Sequence, residues 1–371
     1  MSSPPAWLLI SRPGHIFLAA YDGTSFTITL DFPFSGSPSW IALAPQNLLY
    51  TFDERGDTTH LLKLDLENNT ITHVNKHPAS PGVCHLEFNA NHTRMVGSSY
   101  RNETIDIWDI ENGRLKLIKT IRSKDPVLDD PSIDAHPHQA VLDPTSRFFV
   151  VNDCGTNSLL LLDSEDESFP IVQRVRMPSG SGPRHGIFFP SGTTSPATHY
   201  ILLCETSSRI IIFSLEYTPS KINFTSIASY STFHPDNSSP GRIAGTAAGQ
   251  IVLTPDNRHV YTSNRLTSDP TDTIAHFRVL TDGQDRFQGL EFVGETSTRG
   301  YHPRMFSLSR DGRDLLIGNK QGEVALVAIR RQEDGTLEDE PRASMSMKEL
   351  NRLSGEEDGK VKGPKFVLQI A

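Results

Sequence analysis

One layout recurs six times in this 371-residue chain. A small residue, Pro or Gly opens an apolar strand, a polar turn follows, and then come a second apolar strand, a polar end and a third strand. The copies start near Ser39 (SWIALAPQNLLYTFD), Gly82 (GVCHLEFNANHTRMVGSSY), His136 (HPHQAVLDPTSRFFVVND), Gly182 (GPRHGIFFP…YILLCE), Gly249 (GQIVLTPDNRHVYTSNR) and Tyr301 (YHPRMFSLSRDGRDLLIGNK). The starts lie roughly 43 to 67 residues apart, a length that suits a four-stranded propeller blade with variable outer loops. Four turns place Asn or Asp shortly before Arg: Asn91 with Arg94, Asp143 with Arg147, Asp256 with Arg258 and Asp311 with Arg313.

The apolar runs are short and rich in Val, Ile, Phe, Tyr and Thr (RFFVVND, SLLLLDS, RIIIFSL, HVYTSN), and turn residues bound them. That pattern predicts strands. Only Ser344–Leu353 (SMSMKELNRL) predicts a short helix, inside a polar segment over 344–362 that reads as an insert before the last strand. The two ends complement each other. Gly363–Ile370 (GPKFVLQI) looks like the first strand of another repeat with nothing after it. The N-terminus supplies WLLIS, HIFLAA and SFTITLDF with no first strand before them. Joined, they make a seventh blade, and a ring closed this way leaves no unpaired sheet edge. The expectation is an all-β, seven-bladed β-propeller spanning 1–371 as one domain, its last blade stitched from both termini. A pair of β-sandwiches would not explain the complementary ends.

Composition narrows the partners. The formal net charge of −9 argues against a general nucleic-acid binder, which needs a basic face, but leaves room for Arg clustered in a cleft around a small anion. Cys84, Cys154 and Cys204 are too few and too odd in number for a disulfide framework, and they read as buried thiols. Met1–Ser11 lacks a basic stretch followed by an apolar core, and no run approaches a membrane span, so a cytoplasmic protein off the membrane is expected. The sequons at Asn68, Asn91, Asn102, Asn223 and Asn237 carry little weight without a secretory signal. A homo-oligomer is compatible with the sequence.

Propeller geometry brings first-strand starts and second-strand ends to one mouth, where ligand sites sit. The starts supply His85, His138, Arg184 with His185, and Arg304; the ends supply Tyr100, Glu205, Arg265 and Lys320. Asp53 and Asp153 read as strand-end acceptors with a structural role. His136 and His138 form an H-x-H pair, but no third ligand at metal spacing accompanies it, so no metal is expected.

GPRHGIFFP (182–190), LLCETSSRI (202–210), TSNRLT (262–267) and HPRMFSLSRDGRDLLIGN (302–319) together resemble the seven-bladed propeller lactonase family. That family includes propeller-type 6-phosphogluconolactonase and fungal 3-carboxy-cis,cis-muconate lactonizing enzyme (carboxymuconate cyclase). The resemblance spans essentially the whole chain. It implies a site made of His138, Arg184, Glu205 and Arg265, with His85, His185, Arg304, Lys320 and Tyr100 as substrate-binding candidates and no cofactor. The first reading is a cycloisomerase: Arg184 and Arg265 clamp the carboxylates of a muconate-type substrate, His138 delivers the proton, and Glu205 orients it. The alternatives are a lactone hydrolase of the 6-phosphogluconolactonase type, using the same residues on a phosphate or carboxylate substrate, and a non-enzymatic platform for protein partners. The GPRH motif is closer to the bacterial lactonase than to the cyclase.

Overall fold

The computed structural model describes residues 5–127, 130–234, 236, 244–357 and 362–371. Met1–Pro4, Asn237 and residues 358–361 of the polar segment lie outside that description. The chain forms seven four-stranded antiparallel sheets, a seven-bladed β-propeller. The first strands of the six complete blades are Ile41–Ala44, Val83–Phe88, Pro137–Leu142, Pro183–Phe189, Ala247–Leu253 and Tyr301–Leu308, within two residues of the expected starts. The seventh sheet carries Phe366–Gln369 on its edge against Ala6–Arg12, in the register Leu8 to Gln369 through Ser11 to Phe366. Both termini therefore build one blade. Ala343–Ser346 is the fourth strand of the sixth blade, and the helix begins only at Met347 and runs to Leu353. The alternating SMS pattern feeds the sheet, and Ser346 caps the helix by accepting the Glu349 N–H.

The residues group into two compact units. One comprises residues up to 40, 64–72 and 232 onward; the other comprises 41–63 and 73–231. In the second unit, the strand Phe148–Asp153 is buried along its whole length. Phe148 and Val150 pack toward the fourth blade with Phe188, Tyr200 and Leu202, while Phe149 and Val151 pack toward the second with Val96, Ile105 and Ile107. A strand covered on both faces reads as a continuous apolar run rather than an alternating one, which is why FFVV appears here. In the first unit the equivalent wedge joins Tyr261 and Ile274 to Phe306, Leu315 and Ile317.

The Asn/Asp-before-Arg turns have a common mechanism. Asp143 Oδ1 accepts the Arg147 and Phe148 N–H groups, Asp256 Oδ1 accepts Arg258 N–H, and Asp311 Oδ1 accepts Arg313 N–H. In the second blade the acceptor is Asn89, not Asn91, since its Oδ1 takes the Thr93 and Arg94 N–H groups. Such side-chain acceptors replace ladder partners at the tip of each hairpin.

Candidate functional site

Each inner strand that matters carries a register shift at the same place. The pairing skips Cys84 in the second blade, His138 in the third, Arg184 in the fourth and Arg304 in the sixth. A bulge leaves one residue outside the ladder and re-aims its side chain. His138, Arg184 and Arg304 thus hold one structural position in three blades. His85 and His185 do not share it; they follow the bulge, paired with Ser98 and Leu203.

A second repeated device sets the height of the strand ends. Tyr100 N–H donates to Gly82 O, Cys154 N–H to His136 O, and Glu205 N–H to Gly182 O. Tyr100, Cys154 and Glu205 are therefore equivalent. Gly182 is needed for this closure: its φ is +67°, and a Cβ there would lie 2.3 Å from Thr206 Oγ1. Asp153, one residue earlier than Cys154, turns inward and accepts the His136, Gly155 and Thr156 N–H groups through Oδ1, the structural role expected of it.

Within the second unit these two devices build a polar cluster. Arg184 Nη1 donates to His138 Nε2 at 2.6 Å and to Glu205 Oε2 at 2.5 Å. The Arg184 side chain is 4% exposed and that of Glu205 is 24% exposed. Accepting from a guanidinium requires a lone pair on Nε2, so His138 carries no proton there. The Glu205 carboxylate meets this cation. The His185 ring lies 4.9 Å from that of His138 and 6.1 Å from that of His85. Tyr100 stands edge-on to His138 at 5.9 Å and stacks on His136 at 4.3 Å, while His136 Nδ1 donates to the Tyr100 carbonyl at 2.7 Å.

Burial shapes the protonation of the rim. It lowers His85 to about 3, leaving a neutral imidazole. It raises Glu87, two residues further along the same strand, to about 8. It pushes Tyr100 up to about 12, with the charge of Glu205 adding and that of Arg184 opposing. It pushes Cys154 up to about 12 as well, so the thiol stays protonated.

Arg265, Arg304 and Lys320 belong to the first unit. Arg265 Nη2 donates to Ala248 O at 2.7 Å, across the shifted register of the fifth blade's inner strand. Gly249 makes room for it: a Cβ there would sit 3.2 Å from Arg265 Nε and 2.4 Å from Ser263 Oγ. His302 has its N–H on Asp272 Oδ2 at 2.7 Å. Its imidazole is lowered chiefly by burial, with Asp272 raising it and then Lys320 and Arg265 lowering it further. The charges of Arg265 and Lys320 therefore both act on His302. Lys365, at the start of the closing strand, is a further buried cation whose Nζ donates to Ser37 Oγ at 2.8 Å.

Several participants escaped the sequence reading. Cys154 was legible in principle, as the residue one past the second strand, like Tyr100 and Glu205. Lys365 opens the seventh inner strand and was hidden by the split blade. Gln139, Asn152 and Tyr200 sit inside strand patterns that look wholly structural. Among the described residues no group of three or more His, Cys, Asp or Glu is arranged to hold a metal, and no helix is long and apolar enough to cross a membrane.

The profile of the family described as "Lactonase, 7-bladed beta-propeller" matches residues 14–350. A protein of Arthroderma benhamiae described as a probable 6-phosphogluconolactonase is 26% identical over 250 residues, covering 65% of this chain and 61% of that one. Among solved structures, a putative 6-phosphogluconolactonase of Bacteroides uniformis superposes with a TM-score of 0.77 at 20% identity, over 99% of this chain and 100% of that one. A periplasmic gluconolactonase of Pseudomonas aeruginosa does so with 0.75 at 18% identity, over 99% of both. With the profile spanning nearly the whole chain and seven blades closed by both termini, this chain belongs to the seven-bladed β-propeller lactonase family.

Proposed function

We propose that this chain is a lactone hydrolase acting on a small anionic sugar lactone of the 6-phosphogluconolactone type. The observation that carries the reading is the buried guanidinium of Arg184 shared between the neutral Nε2 of His138 and the carboxylate of Glu205. The names of the relatives favour hydrolysis over the muconate cyclisation that the resemblance suggested first.

A lactone carbonyl placed against Arg184 takes over the N–H that His138 otherwise accepts. His138 Nε2 is then free to take a proton from water as the water oxygen adds to the carbonyl carbon. The tetrahedral oxyanion forms against Arg184, whose orientation Glu205 maintains without reorganisation. The ring C–O bond breaks, the departing ring oxygen takes the proton back from His138, and a hydroxy acid leaves. In their own unit Arg265, Arg304 and Lys320 are proposed as anion ligands, with Arg suited to bidentate capture of phosphate or carboxylate. A cytoplasmic location belongs to the same reading; cell fractionation tests it, since the Pseudomonas relative is described as periplasmic.

The deciding assay incubates the protein separately with 6-phosphogluconolactone, unphosphorylated gluconolactone and 3-carboxymuconate. Hydrolysis of the phosphorylated lactone is expected, with a higher kcat/KM than for the neutral lactone. Turnover of the muconate alone would restore the cyclase reading. No turnover of any of the three, with retained binding of a protein partner, would support the platform reading instead.

A further inference from the structure

We propose that Asn152 and Gln139 are positioning residues that hold the bulged His138 and Arg184 at hydrogen-bonding distance across two blades. The kinetic arm of this proposal rests on the hydrolase reading; its structural arm does not.

A polar chain runs through the apolar wedge between the third and fourth blades. Tyr200 OH donates to Asn152 Oδ1 at 2.9 Å. Asn152 Nδ2 donates to Gln139 Oε1 at 3.0 Å and lies 3.4 Å from the Arg184 carbonyl. Gly186 N–H donates to the same Gln139 oxygen at 2.7 Å. The direction of every bond follows from one backbone group. Gly186 N–H can only donate, so the Gln139 atom facing it is the oxygen. That oxygen requires a donor from Asn152, which turns the Asn152 oxygen to Tyr200 and makes Tyr200 the donor. The Arg184 carbonyl, which can only accept, agrees with the same orientation.

Asn152 and Tyr200 are 0% exposed, Gln139 is 9% exposed, and Tyr200 is packed among Phe188, Leu202 and Val150. Burying this many polar atoms in an apolar wedge costs desolvation unless each bond is made, and a satisfied network specifies one geometry. Its place explains its presence. Gln139 is the next residue after the His138 bulge, and its oxygen grips the backbone two residues after the Arg184 bulge, on the neighbouring blade. The inner strands of two blades share no ladder bonds, since each belongs to its own sheet. This network therefore sets their spacing just beneath the His138–Arg184 contact. Gly186 completes the fit, because a Cβ there would lie 2.1 Å from the Tyr200 hydroxyl.

The test uses the full chain with Asn152→Leu, Gln139→Met and Gln139→Glu. The first two remove the network with little change of volume; the third keeps the acceptor. Two readouts are taken: steady-state lactone hydrolysis, and the 15N NMR signal of His138 Nε2, assigned with His138→Gln. The proposal expects Asn152→Leu and Gln139→Met to lose about 10–100-fold in kcat with KM nearly unchanged, since a small misplacement of reacting groups has that scale. It expects the Nε2 signal to move from its hydrogen-bonded position in both, and Gln139→Glu to restore signal and kcat. If Asn152→Leu does not fold, the Gln139 pair decides. An unmoved Nε2 signal in a folded variant overturns the proposal, whatever the substrate. If the wild-type protein turns over no lactone, the hydrolase reading fails while the NMR arm still judges the positioning claim.

Discussion

Replacing Arg184 tests the proposed chemistry most directly. One nitrogen, Nη1, serves both His138 and Glu205, and the side chain is almost wholly enclosed. A preoriented donor aimed at a developing oxyanion in such a setting contributes about 2.7–4 kcal/mol to the transition state, a factor of about 10²–10³ in kcat. Arg184→Ala should lose turnover in that range. Arg184→Lys keeps the charge and has three N–H donors on one nitrogen, but its side chain is one bond shorter and its ammonium falls short of the place of Nη1. Its loss should fall between wild type and Ala. The Ala variant also removes a guanidinium-sized group from a buried place, so added guanidinium ion should recover part of kcat in Arg184→Ala and none in wild type. The assay is steady-state lactone hydrolysis at fixed pH and ionic strength, with kcat and KM separated. A transition-state role lowers kcat and kcat/KM together, whereas ground-state binding alone raises KM. Arg184→Ala with kcat within about threefold of wild type, or with only KM altered, would refute the mechanism.

Three further outcomes follow from the fold. His259 Nδ1 and His276 Nε2 are 3.0 Å apart, and burial lowers both imidazoles, His276 to about 3. Above pH ~6.5 both folded and unfolded chains leave His276 neutral; below it the unfolded chain takes the proton first, so stability falls by about 2 kcal/mol from pH 7 to 5 for this group alone. His276→Phe, stacked on Tyr261 as His276 is, should remove that part of the slope in urea unfolding at several pH values, and an unchanged slope would count against it. Gly186→Ala forces a methyl group onto the buried Tyr200 ring and should cost about 1–3 kcal/mol, read as a lower denaturation midpoint; an unchanged midpoint contradicts the packing. Val367→Asp buries a carboxylate in the closing strand opposite Ile10, at several kcal/mol, while Gln369→Asp on the same strand is half-buried and should be tolerated; equal behaviour of the two would argue against the closure.

The blade count, the strand starts and the stitched seventh blade were legible because each follows from local pattern. Apolar runs bounded by turn residues mark strands, and a first strand missing at one end reappears at the other. His138, Arg184 and Glu205 were legible among the many polar strand starts and ends that the repeat gathers, and only the family resemblance singled them out as a set. The bulges were not legible, since a skipped ladder partner leaves no mark in a strand's composition. Yet the bulge is what gives His138 and Arg184 one aim and sets His85 and His185 apart from them. Nor did the residues say that Glu205 reaches Arg184, or that Gln139, Asn152 and Tyr200 tie two blades together. The sequence by itself determined the repeated strand and the polar residues at its ends, because hydrophobic pattern and turn chemistry act over a few neighbours. Only the tertiary structure decided which polar atoms meet, because that depends on the spacing of separate sheets, set by buried contacts between residues tens of positions apart.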